Sequence, residues 1–162
     1  MKPDALRLSR RHRAWLYGSL VVLFLTGAGW LIFHHYWRAS GEFGPAPHPL
    51  EPWLLKVHGA AAMVFLVVFG TLLPGHVRRS WHRRLNRPSG ALFLALNGLL
   101  ILSGYALYYF GGERSRAAIS LAHWLAGLGY PLFLVAHIWL GRRARQQQQL
   151  HPRPKAQPHP AN

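Results

Sequence analysis

The sequence predicts an all-α membrane protein, a four-transmembrane-helix antiparallel bundle of up-down-up-down topology. Three observations predict it. Apolar residues make up 51% of the chain but gather in four blocks, at 14–37, 53–73, 89–110 and 118–140, each long enough for roughly 30 Å of hydrocarbon. Basic residues fall in three clusters, at 2–13, 78–87 and 142–155, which share one side of the membrane if the spans alternate. Trp15, Trp37, Trp53, Trp81, Trp124 and Trp139 sit near the span ends, where an aromatic belt belongs.

The net charge of +15 therefore reports topology and not a nucleic-acid footprint, and no nucleic acid partner is expected. Only Arg38, Lys56, Arg114 and Arg116 lie on the other side, so both termini are expected in the cytoplasm. The chain has no cysteine. Disulfides, iron–sulfur clusters, zinc–thiolate sites and covalent c-type haem are excluded.

Taken in order, residues 1–13 form a basic arm suited to anionic lipid. The first span, read as a retained helix, carries Thr26-Gly27 and ends in His34-His35-Tyr36-Trp37, with both histidines at the interface. A connector rich in Gly and Pro, 40–52, is expected to be irregular. The second span opens on His58 followed by Gly59-Ala60-Ala61-Ala62 and closes at Pro74-Gly75-His76. His82 lies in a basic loop and is expected to be solvated. The third span carries Gly90, Gly98 and Ser103-Gly104, and a four-residue turn, 112–115, leads to the fourth. The core thus occupies 14–141, and 142–162 is expected to be a disordered basic tail. The Thr-Gly and Ser-Gly pairs, each ahead of a helix that begins with a histidine, read as a faint internal repeat.

The fourth span holds His123 and His137, fourteen residues apart. Fourteen steps leave the rings about 40° apart in azimuth and roughly 21 Å apart along the axis, so both point from one face at different depths. Ionisable groups inside a membrane span are costly and mark functional positions. His58 and His123 are each five or six residues from the external ends of inward-running spans, at depths of roughly 8 to 9 Å. Two neutral imidazoles at one level suit the axial positions of a b-type haem, while zinc or copper would want further ligands. At the inner level His137 has two candidate partners. His76 stands five whole helical turns from His58, which favours a common face, and His12 begins a span with no proline break. Arg11, Arg13, Arg78 and Arg79 surround this level and suit haem propionates.

This histidine pattern, with four short-looped spans and basic connectors, resembles the small bacterial di-haem cytochromes of the b561 type and related four-helix cytochrome b domains, over about 10–143. The resemblance implies two haem b groups stacked across the bacterial inner membrane, with iron held by His58, His123, His137 and His76, or by His12 in place of His76. The b561-type pattern corresponds to His12 and the respiratory pattern to His76, although the latter spaces its pair by fourteen where this chain has eighteen. It further implies electron relay between quinol or a cytoplasmic-side donor and a periplasmic c-type cytochrome or other redox protein. Such a chain is an electron-transfer component and not a stand-alone catalyst. Two competing readings remain at this level: a membrane anchor or assembly subunit of a respiratory complex without its own haem, and a small transporter using His58 and His123 as polar relays.

Overall fold

The computed structural model describes residues 9–42, 44–82, 87–110 and 112–150. Its elements in order are α1 (Arg10–His35), the short strands β1 (Ala39–Gly41) and β2 (Gly44–Ala46), α2 (Glu51–Leu72), a π-helical turn (Leu73–Val77), α3 (Arg78–His82), α4 (Arg87–Tyr109) and α5 (Glu113–Leu150). Four helices are long and apolar enough to cross a membrane: Arg10–His35, Glu51–Gly75, Arg87–Tyr109 and Arg114–Ala144.

The ends of these helices follow local chemistry. Ser9 caps α1, its side chain accepting from the His12 backbone N–H at 3.1 Å. Pro52 sits in the first turn of α2, where its missing N–H has no partner to lose. At the other end of α2, Pro74 and Gly75 fall in the π-helical turn and not at a simple stop. Pro131 lies inside α5, so the carbonyl of Gly127 loses its helical partner while the helix continues.

Three expectations are corrected. The external connector is not wholly irregular: β1 and β2 pair antiparallel, Ser40 opposite Pro45, and Gly44 takes the φ of 116° that the reversal requires. The segment after the last span is helical as far as Leu150, because Arg and Gln are good helix formers and adding a residue to an existing helix is easier than starting one. The four-residue turn before α5 is shorter than expected, since the helix starts at Glu113. The arm 1–8 and the tail 151–162, with His151 and His159, lie outside the described residues.

Helix α1 packs along α2, α4 packs along α5, and α1 also touches α5. Within the first pair, Thr26 meets His58, His34 meets Glu51 and His12 meets Thr71, so residue numbers rise along one helix as they fall along the other and the pair is antiparallel. Polarity is inverted relative to a water-soluble domain. Among the described residues the buried set includes Ser19, Thr26, Glu51, Asn97 and Ser103, while Val67 is 71% and Leu132 76% exposed. This is the pattern expected of helices long and apolar enough to cross a membrane, where apolar side chains gain nothing by leaving lipid and polar groups must find partners inside.

Candidate cofactor site

The chemistry-bearing residues stand at successive levels along the two helical pairs. At the outer level, His58 of α2 leans on α1 and His123 of α5 leans on α4. His58 Nδ1 lies 3.0 Å from Thr26 Oγ1, and His123 Nδ1 lies 2.8 Å from Ser103 Oγ. The next residue in each case is glycine for a steric reason. A Cβ on Gly27 would stand 3.3 Å from His58 Cε1, and one on Gly104 would stand 3.4 Å from His123 Cε1. The Thr-Gly and Ser-Gly pairs are thus two copies of one device, a hydroxyl with a flat patch of backbone against which an imidazole lies. From these two seats the rings approach each other across the pairs at a steep mutual inclination, centroids 6.3 Å apart and planes at 70°.

At the inner level, His137 Nδ1 lies 2.9 Å from Ser89 Oγ, and its ring stacks on Phe93 at 4.9 Å and 10°. A cleft of about 280 Å³ opens there, lined by Ser89, Leu92, Phe93, Phe133 and His137 among others. His12 Nε2 lies 3.3 Å from Thr71 Oγ1. The backbone of His76 belongs to the π-helical turn, while its side chain lies outside the described residues. That wider turn breaks the uniform α-helical count from His58 to His76 on which the shared-face expectation rested. Arg11, Arg13 and Arg78 are exposed.

These contacts sharpen the internal repeat. Thr26 follows His12 by fourteen residues, as Ser103 follows Ser89 by fourteen, and His123 precedes His137 by fourteen where His58 precedes Thr71 by thirteen. Each pair therefore joins a histidine to a hydroxyl at two levels. At the inner level the roles are exchanged, with histidine on α1 in one pair and on α5 in the other.

Between the levels of α5, Tyr130 donates its hydroxyl to Asn97 Oδ1 at 3.1 Å, and Asn97 donates to the Phe93 carbonyl at 2.7 Å. Asn97 is only 1% exposed. The heptad spacing of His123, Tyr130 and His137 carried this signal in the sequence, and the reading from sequence missed it. It also missed the outer fastening. His34 Nδ1 lies 3.0 Å from Glu51 Oε2, Trp30 stacks on His34 at 4.4 Å, and the His48 backbone donates to Glu51 Oε1 at 3.0 Å. His34 is therefore a structural tie and more than an interfacial residue. His82 is exposed, at the end of α3.

Among the described residues no three His, Cys, Asp or Glu side chains gather as a metal site. What converges is the imidazole pair. The chain matches no family model, no curated protein and no solved structure, so the site is read from its own geometry.

Proposed function

We propose that this protein is a membrane-embedded b-type cytochrome, an up-down-up-down four-helix bundle in a bacterial inner membrane that relays electrons through haem held between paired histidines. One observation carries the reading, the 6.3 Å between the ring centroids of His58 and His123. An imidazole centre lies about 1.1 Å from its own nitrogen, and a metal–imidazole bond is about 2.0 to 2.1 Å, so two rings on opposite sides of one metal have centroids about 6.3 Å apart. The spacing fits an iron between the two imidazoles, with no other ligand needed from the protein.

Haem b bound there supplies reversible one-electron chemistry between ferric and ferrous iron. The chain's own part is to hold and to insulate. His58 and His123 would hold the group at the outer level, Gly27 and Gly104 let their rings lie against the helices, and the apolar faces of the bundle would keep bulk water away. At the inner level His137 would provide one nitrogen from beside the Ser89 hydroxyl. Its partner is His12 or His76. Two features support His12: it sits beside a hydroxyl, through Nε2 where the other three histidines use Nδ1, so that its Nδ1 is the nitrogen left for a metal, and the wide turn at Leu73–Val77 breaks the uniform helical count that recommended His76. The division of basic residues, fifteen against four, supports cytoplasmic termini. Quinol or a cytoplasmic-side donor at one face and a periplasmic c-type cytochrome or other redox protein at the other complete the proposal.

The test is a reduced-minus-oxidised spectrum with a pyridine haemochrome count on the purified full-length protein. Two haems are expected in the wild type, one in His123→Ala and one in His137→Ala. A wild-type protein without b-type α and Soret bands overturns the reading and leaves the anchor or transporter alternatives.

A further inference from the structure

We infer that Thr26 and Ser103 are positioning residues that fix both outer histidines in the tautomer with Nδ1 protonated, leaving Nε2 of each as the bare nitrogen that takes a metal. A hydroxyl has one proton to donate. Thr26 Oγ1 stands 2.7 Å from the Val22 carbonyl and 3.2 Å from that of Leu23, and Ser103 Oγ stands 2.6 Å from Leu99 O and 3.3 Å from Leu100 O. Two oxygens at 2.6 to 2.7 Å without a proton between them repel, and a carbonyl has none to give, so each hydroxyl proton points back along its own helix. Only lone pairs are then left for the imidazoles. Contacts of 3.0 Å to His58 Nδ1 and 2.8 Å to His123 Nδ1 therefore require that both nitrogens be the donors. A neutral imidazole has one N–H, so both Nε2 atoms are unprotonated. The chain of donation runs from imidazole to hydroxyl to helix carbonyl, twice over, from α2 into α1 and from α5 into α4.

The same arrangement sets how readily the outer level is oxidised, and this part rests on the cytochrome reading. An acceptor on Nδ1–H makes the ring a more basic ligand, and a more basic ligand favours ferric over ferrous iron. Without the acceptor the preference falls, and the midpoint potential moves to a more positive value.

Two measurements on the full-length protein separate the inference from the reading it builds on. In protein made in a haem-deficient host and labelled with 15N-histidine, well above the imidazole pKa of about 6.5, His58 and His123 should each show a protonated Nδ1 and a bare Nε2. His58→Gln and His123→Gln assign the signals. The opposite tautomer at either ring overturns the inference, whatever the haem content. In the haem-loaded protein, Thr26→Val and Ser103→Ala should each raise the midpoint potential of one haem and not the other, with low-spin spectra kept, while Thr26→Ser should restore the wild-type value. Unchanged potentials in both variants, with haem bound, overturn the positioning role. A wild-type protein that takes no haem sinks the cytochrome reading alone, and the nitrogen shifts still decide the tautomer.

Discussion

At Gly27 one methyl group decides whether an imidazole has a seat. The 3.3 Å left to His58 Cε1 is tight enough that the neighbour must yield by a few tenths of an ångström, and the ring it must push is the one held by Thr26. If the proposed haem sits between His58 and His123, Gly27→Ala is expected to weaken it and Gly27→Val to abolish it, read as haem stoichiometry after gentle detergent extraction. Gly18 is the control on the same helix, because nothing stands within 4 Å of its added Cβ; Gly18→Ala should keep both haems and gain up to about 1 kcal/mol in helix propensity. Equal haem content in Gly27→Val and Gly18→Ala would refute the seat. That His58 and His123 share a level was legible in the sequence, since each lies five or six residues from the start of its span, and the structure brings their rings to 6.3 Å. The sequence left their hydroxyl partners illegible, because Thr26, Ser89 and Ser103 also read as ordinary small residues at a helix interface, and only the fold brings each opposite an imidazole.

Among the elements, α4 and α5 are joined midway by a polar tie, and its worth is measurable. Tyr130 to Asn97 is a hydrogen bond between two helices long and apolar enough to cross a membrane, and between membrane helices such bonds average about 0.6 and reach about 1.7 kcal/mol. Tyr130→Phe is expected to lose an amount in that range in a denaturant titration of the folded protein, and Asn97→Leu a similar amount. Together they should lose less than the sum, since removing both partners leaves no buried polar group unpaired. Strict additivity would show that the two side chains do not act as a tie. The four long helices were readable from apolar runs of 20 residues or more, but their ends were not. Helix α5 runs on to Leu150 because solvent-exposed Arg and Gln favour helix without leaving an apolar signature. Likewise the turn at Leu73–Val77 forms where Pro74 and Gly75 read only as a stop.

For the whole molecule, the proposed function turns on how the two pairs would sit in a membrane and which histidine would complete the inner level. The internal repeat relates α1 and α2 to α4 and α5, yet it exchanges histidine and hydroxyl at the inner level, placing His12 on α1 and His137 on α5, two helices that touch. If His12 is the ligand, His12→Ala loses the inner haem and keeps the outer one, while His76→Ala keeps both; the reverse result assigns His76 and makes the contact of His12 with Thr71 purely structural. Orientation is tested separately. With fifteen basic residues against four on the two sides, an alkaline phosphatase fused after Leu150 should be inactive and a green fluorescent protein there should fluoresce, because both report on which side the chain emerges. A phosphatase fused within the ribbon of β1 and β2 should give the opposite result. Moving the charge balance tests the cause as well as the outcome: replacing Arg10, Arg11 and Arg13 by Gln while adding three Lys residues beside Arg38 should produce a mixed population of orientations. A single orientation unchanged by that transfer would mean that something other than basic charge places the His58 and His123 level on the outside.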